Sequence, residues 1–338
     1  MPVRLKDIAA DLGVSVVTVS KVLRNHSDIG EETRRRVLER IKELNYQPNL
    51  TARALVTGRT YVIGLVVPDL VHPFFAEVAK SLSAALSNHG YSLIIASSDE
   101  DPDVEAREIE HLIARRMDAL VIASAQTTST AFTRLEQQKT PYILIDRRFH
   151  NLPANFVGVD DEAVGRIATE HLIAVGCRRV AHIRGPQVST ALGRLRGYER
   201  ALQGHRLGLN PEFIPALTTG DADSDERGRV AMRQLLSLDP RPDGVFCYND
   251  PTAMGAMDAI LEAGLSVPDD LAVIGAGNVR YGAFLRVPLS TVDQQSIGIG
   301  DQTARLVLKL IQASTHAAPK SILLGPKLIV RASTRRST

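Results

Sequence analysis

The N-terminal stretch of the chain places apolar residues with helical spacing. Leu5, Ile8, Ala9 and Leu12 fall at i, i+3, i+4 and i+7, one face of a short helix that Gly13 ends with a turn. Ser15 offers an N-cap to a second helix whose inward face is Val19, Val22 and Leu23, so Val16, Val17, Ser20 and Lys21 point outward. A third helix is expected between Gly30 and Leu44, with acids before bases as the helix dipole favours, and a stripe of Val37, Leu38, Ile41 and Leu44. Such a core of roughly fifty residues is marginal alone by surface-to-volume reasoning. An outward Val-Val pair is unusual on a water-facing helix, and an ordinary helical pair would not need it. In a major groove it has a use: small apolar groups touch thymine methyls, serine takes either role at a base edge, and lysine reaches guanine or phosphate. The segment therefore reads as a helix-turn-helix that enters DNA, with Ser15 and Thr18 at or beside phosphates.

From Tyr61 onward the pattern changes to short β-branched runs alternating with amphipathic stretches. Val62–Val67, Ser92–Ala96, Ala119–Ile122 and Tyr142–Ile145 read as buried parallel strands, with helices such as Pro73–Asn88 and Val104–Arg116 between them. A second series begins after Asp161, with strands at Val180–Ile183, Gly244–Cys247 and Ala272–Ile274. The expected fold is a helical helix-turn-helix head followed by an α/β core of two doubly wound lobes. Open α/β sheets bind ligands beyond the carboxyl ends of their strands, and the residues there are polar. They include Asp69–Phe75 with His72 and Phe74, Ser97–Asp99, Ser124–Gln126, Asp146, Arg147 and Arg148, Asp160 and Asp161, Asn249 and Asp250, Gly277 and Asn278, and Gln294. Amides, carboxylates and guanidinium groups converging there would replace the water bonds of a polyhydroxylated or anionic ligand.

Between head and core lie Asn45-Tyr46-Gln47-Pro48-Asn49 and Ala52-Arg53-Ala54-Leu55, ended by Gly58. With the helix-turn-helix before them and the α/β remainder after, these motifs make essentially the whole chain resemble the LacI/GalR family of bacterial transcription regulators. The resemblance implies a hinge helix over Leu50–Gly58, in which Ala52, Arg53 and Leu55 meet DNA and Leu55 wedges into the minor groove; the alternative for so short a segment is a plain linker. It also implies a core like that of periplasmic sugar-binding proteins, with the chain crossing between lobes near Asp161, Val292 and Pro326 and a small effector in the cleft. The boundaries follow: head 1–47, hinge 48–59, first lobe 60–161 and 292–325, second lobe 162–291 and 326–338. For the effector the resemblance singles out Phe74, Asp146, Arg194, Asn249 and Gln294. Three positions depart from the family pattern. Gly277 stands where a ligand-binding carboxylate is usual, Ala222 where an aromatic often stacks on the effector, and His72 where asparagine usually precedes Pro-Phe-Phe. Together with Arg147, Arg148 and Arg194, these departures suggest an effector unlike a standard hexose or purine, an anionic sugar for example.

Composition adds bounds. The 338 residues are 44% hydrophobic, enough core for two or three domains without bias toward disorder. Formal net charge is +2, but through Arg59 there are 11 Lys and Arg against 7 Asp and Glu, leaving 29 against 31 in the remainder. That asymmetry suits a DNA-binding head on a neutral body. Cys177 and Cys247 are far apart and lack a CxxC partner, so neither a disulfide nor zinc is expected. No apolar run has the length of a membrane helix and the start lacks a signal-peptide core, so the expected location is the cytoplasm.

Enzyme signatures are weak. Gly275-Ala276-Gly277 follows a strand, but the third glycine of a dinucleotide loop would fall at Arg280, and no phosphate loop, HExxH or GxSxG is present. No cofactor is called for. The reading is a sequence-specific regulator, a repressor of sugar-related genes, binding a palindromic double-stranded operator as a homodimer with affinity set by a sugar-like effector. The dimer is the simpler expectation and a tetramer stays open, since the sequence ends with no added leucine-heptad tail. The alternatives are a ligand-independent DNA-binding regulator, marked by operator affinity that no ligand changes, and a sugar-modifying enzyme with a DNA-binding head, marked by turnover.

Overall fold

A computed structural model describes residues 3–23, 26–46, 54, 57–126, 128–215, 224–313 and 318–335, in two compact units that divide after Thr60. The first unit holds α1 (Leu5–Leu12), α2 (Val16–Leu23) and α3 (Glu31–Glu43). Gly13 takes a left-handed φ of 64° and returns its N–H to the last turn of α1, a conformation glycine adopts without a Cβ penalty. The Ser15 hydroxyl accepts the Thr18 N–H at 3.0 Å and so starts α2 two residues after that turn. Ile8, Ala9, Val19, Val22 and Val37 form the core, with Leu12, Ile41 and Leu44 packed around it. Leu38, expected on the inward stripe, is instead exposed. Val37, Ile41 and Leu44 already occupy the i, i+4, i+7 row, and Leu38 lies about 100° further round the helix. Leu23 is only half-buried at the end of α2.

The second unit runs β1 (Val62–Val67), α4 (Pro73–Ser87), β2 (Ser92–Ser97), α5 (Pro102–Ala114), β3 (Ala119–Ile122), α6 (Thr133–Gln137), β4 (Tyr142–Ile145) and β5 (Asn155–Val159). It continues with α7 (Asp161–Ala174), β6 (Val180–Ile183), α8 (Ser189–Gly204), α9 (Ser224–Leu236), β7 (Gly244–Cys247), α10 (Asp250–Glu262), β8 (Ala272–Ala276) and β9 (Ser290–Asp293). The final elements are α11 (Ser296–Gln312), β10 (Ser321–Leu324) and β11 (Lys327–Ile329). Two sheets result, ordered β10-β5-β4-β3-β1-β2 and β11-β9-β8-β7-β6. All pairs are parallel except β11 on β9. The chain thus passes between sheets after Val159, after Asp293 and after Leu324. The second passage comes just beyond Val292, because Lys327 pairs with Asp293 and completes β9 in the second sheet. Helix α11 returns to the first lobe, where Ser81 donates to Asp301 at 2.7 Å and Ser296 donates to Glu77 at 2.6 Å.

Most strands are buried on both faces, as parallel sheets covered by helices require. β2, expected to be buried, is an edge strand whose Ile94 and Ile95 are 40% and 41% exposed. The apolar run alone does not reveal that only β1 lies beside it. β5, β9, β10 and β11 were not anticipated, since each is short and carries no long apolar run. Helix α5 begins at Pro102 rather than Val104, because Asp101 accepts the N–H groups of Asp103 at 2.7 Å and Val104 at 3.1 Å.

Candidate functional site

On the first unit, α2 presents the expected outward set. Val16 is 44% and Val17 61% exposed, Ser15 is exposed, and Thr18 and Ser20 are half-buried. Lys21 is ion-paired with Asp28, beyond the end of α2, and that hydrogen bond holds the Asp28 carboxyl below its usual range. Both groups are accessible, so the lysine exchanges readily toward a phosphate or a base edge. Ala52, Arg53 and Leu55 lie outside the described residues, as does Ala222.

On the second unit, the polar strand ends converge on Arg194. This side chain is 2% exposed; its Nε donates to Asp161 at 3.0 Å, Nη2 to Gln294 Oε1 at 2.6 Å and Nη1 to the Tyr248 carbonyl at 2.6 Å. Its guanidinium lies over the Tyr248 ring, 4.6 Å from the centroid. Burial alone would lower the pKa of the guanidinium, but the charges of Asp161, Tyr248 and Asp146 more than offset that and keep it firmly cationic. Burial pushes the Asp161 carboxyl up, against the pull of Arg194. These three bonds use three of the five donors that a guanidinium carries.

A cavity of about 790 Å3 opens between the lobes, lined by Ser124, Gln126 and Arg147 from one side, Ser189 and Arg196 from the other, and Asp160–Glu162 where the chain crosses. Of the expected effector residues, Arg147 and Asp161 line it. Arg147 is held by Glu100 in a two-pronged ion pair, at 2.7 and 2.5 Å, with Asp146 a further 3.9 Å from its Nε. His72 and Asn249 meet at 3.3 Å, Asn249 also capping α10 by accepting the Thr252 N–H. Asn278 donates to Asp293 at 3.3 Å and accepts from Arg331 at 2.7 Å, bracing its own loop. Phe74 is buried, edge-on to Phe75 at 5.1 Å, in the core beneath α4. The structure therefore gathers Asp161, Arg194 and Gln294 into one cluster and His72 and Asn249 into another, while Asn278 bonds Asp293 and Arg331 and Phe74 packs on Phe75.

Gly277 has a φ of 136°, a region closed to side chains, and an added Cβ there would point at the Asp250 carboxylate, 3.5 Å away. The missing carboxylate at 277 is thus tied to a buried one at 250. Asp250 accepts the Thr291 hydroxyl at 2.6 Å and the Val279 N–H at 2.8 Å, yet burial pushes its pKa up to about 6. A folded pKa above the unfolded value means that the native state binds the proton more tightly, so this group disfavours folding when ionised. Wild type should therefore lose stability relative to Asp250→Asn as pH rises from about 4 to about 6, by up to roughly 3 kcal/mol. Urea midpoints across that range, compared between the two proteins, test this; parallel profiles would contradict it.

Two family descriptions match this chain. Residues 4–49 match the description "Bacterial regulatory proteins, lacI family", and residues 60–327 match "Periplasmic binding proteins and sugar binding domain of LacI family". The chain belongs to the LacI family. Among its LacI-family relatives, a ribose operon repressor from Halalkalibacterium halodurans is 33% identical, over 98% of this chain and 97% of the relative. An HTH-type transcriptional repressor PurR from Histophilus somni is also 33% identical, over 98% of both chains. A crystal structure of the lac repressor dimer bound to operator and the anti-inducer ONPF superposes with a TM-score of 0.85 at 25% identity, covering 99% of both chains. These relatives are transcriptional repressors and not enzymes, and this LacI-family chain is a DNA-binding repressor with an effector-binding core. Among the described residues no helix is long and apolar enough to cross a membrane, and Cys177 and Cys247 are both buried.

Sequence reasoning missed the partners of the site residues of this LacI-family core. Glu100 neutralises Arg147 across 47 positions, and Tyr248 supplies both a carbonyl and a ring to Arg194 across 54. Glu105, fully buried behind the cavity wall, takes the Ser124 hydroxyl at 2.6 Å and the Ala125 N–H; burial raises its pKa against those bonds. Its only sequence signal was an acid at an inward position of α5.

Proposed function

We propose that this repressor binds a palindromic operator in the cytoplasm as a homodimer, each copy laying α2 in a major groove, and that a neutral polyhydroxylated effector of the sugar class in the inter-lobe cleft sets its operator affinity. One observation carries the DNA half: Val16 and Val17, 44% and 61% exposed, stand beside Ser20 and Lys21 on a helix already capped by Ser15. Exposed branched side chains reduce solubility without a partner, and thymine methyls supply one. Ala52, Arg53 and Leu55 are assigned to the operator centre on the family resemblance alone.

For the effector, ion pairs weaken the anionic expectation at two of the three arginines that carried it, Arg148 on the cavity wall being the third. Arg147 is neutralised by Glu100 and Arg194 by Asp161, so neither offers an uncompensated positive charge. What faces a ligand there is a mixture of carboxylates, amides and the remaining guanidinium donors, which suits hydroxyl groups that both donate and accept. Self-association is supported by the edge strand β2, whose Ile94 and Ile95 are exposed, and by Val71, which is 88% exposed on the same lobe.

The test is an in vitro selection of fragments from the source genome with the full chain at a stated salt concentration, with and without added pentoses, hexoses or purines. Enrichment of a palindrome that a sugar strengthens or weakens is the expected result. No enrichment under any of these conditions overturns the operator reading, and a purine-only response overturns the effector class.

A further inference from the structure

Two helix N-termini meet across the cleft. His72 ends the loop before α4 in the first lobe and Asn249 the loop before α10 in the second, with Asn249 Nδ2 3.3 Å from His72 Nε2. The Asn249 amide is fixed in orientation, because its Oδ1 accepts the Thr252 N–H at 2.9 Å. Turning it over would set the amide NH2 against that N–H, donor against donor. Nδ2 therefore faces His72 as a donor, and His72 Nε2 has to accept. An imidazole accepts at Nε2 only when neutral with its proton on Nδ1. His72 Nδ1 is buried and has no hydrogen-bond partner among the described residues, so the bond across the cleft is what selects this tautomer.

We propose that His72 is a proton-sensitive latch between the lobes: the neutral ring holds the cleft closed by accepting from Asn249, and a proton on Nε2 sets N–H against N–H and favours opening. Imidazole is the side chain that ordinarily changes charge between about pH 5 and 8. The charged and titratable groups around the contact are already engaged. In the first lobe, Asp69 accepts the Val71 N–H at 2.7 Å, Glu77 accepts the Ser296 hydroxyl at 2.6 Å, and Asp146 faces Arg147. In the second, Asp250 accepts from Thr291 and Val279, Arg194 is held by Asp161, Gln294 and Tyr248, and Tyr281 feels the charge of Asp250. No carboxylate is bonded to His72 among the described residues, so no ion pair holds a positive ring in the closed arrangement. A second bond across the cleft, from the Arg148 N–H to the Ser189 hydroxyl at 3.0 Å, involves no titrating group and gives closure a pH-independent part.

The latch goes beyond the effector reading and is tested without effector. The full chain carries 15N-labelled imidazoles for NMR, with His72→Gln to assign the resonance, and spin labels at the exposed positions Arg107 on α5 and Gln203 on α8. At pH 8 the His72 proton is expected on Nδ1 and the distance distribution should be short. At pH 5.5 a longer population should grow several-fold. His72→Gln, whose Oε1 accepts without titrating, should keep the short distance at both pH values, and His72→Ala should show the longer one at both. A proton on Nε2 at pH 8, or wild type and His72→Gln shifting alike with pH, would overturn the latch. If the alanine variant does not fold, the tautomer and the glutamine comparison still decide.

Discussion

Replacing Arg194 with alanine is expected to lower the stability of the effector core by about 3–5 kcal/mol, the range for removing one partner of a buried ion pair. The loss comes from what remains: a largely buried Asp161 carboxylate, the Gln294 amide oxygen and the Tyr248 carbonyl, all stripped of their donor. Arg194→Lys keeps the charge but not the three-way fork, and should fall between wild type and alanine. Since the chain has no tryptophan, urea unfolding is best followed by circular dichroism. A shift below about 1 kcal/mol for Arg194→Ala would mean that the cluster is solvated and the buried-pair account is wrong.

Gly165→Ala should destabilise the core by forcing two helices apart. A Cβ at Gly165 of α7 would lie 2.0 Å from the Arg194 carbonyl, and Gly197 of α8 faces Glu162 just as closely, at 2.1 Å. Backbone cannot yield as a flexible side chain can, so α7 and α8 must separate and carry Arg194 with them. Overpacking of this kind costs about 1–3 kcal/mol or more, which exceeds the roughly 1 kcal/mol that alanine gains over glycine in a helix. Gly204→Ala is the control, since its Cβ would meet nothing within 4 Å at the end of α8, and it should be neutral or stabilising. Equal melting temperatures for Gly165→Ala and Gly204→Ala would contradict the close crossing.

The head was legible because its signals are local. The spacing of Leu5, Ile8, Ala9 and Leu12, the glycine at 13 and the serine at 15 each act within one turn of chain, and the structure realises them there. Leu38 and β2 misled for one shared reason. Burial depends on which element arrives alongside, and an apolar residue or run looks the same whether or not a neighbour covers it. The cleft was half legible. Strand-end logic named Asp161, Asn249 and Gln294 and the family resemblance named Arg194, but neither gave their pairings, since Arg194 and Gln294 are 100 positions apart and no periodicity spans that interval. The glycine at 277 was visible as a departure, whereas its cause, a loop wrapped around the Asp250 carboxylate at a φ only glycine tolerates, exists only in three dimensions.

The most direct test of a two-fold symmetric reader is one pair of anisotropy titrations, with the full chain at a single stated salt concentration. One duplex carries the selected palindrome intact, and the other carries about five extra base pairs at its centre, turning the half-sites to opposite faces of the helix. Paired heads should lose on the order of 10³-fold in affinity on the altered duplex, falling toward non-specific binding. Equal affinity for both duplexes would mean that each head binds its half-site independently, and would contradict the dimeric operator reading.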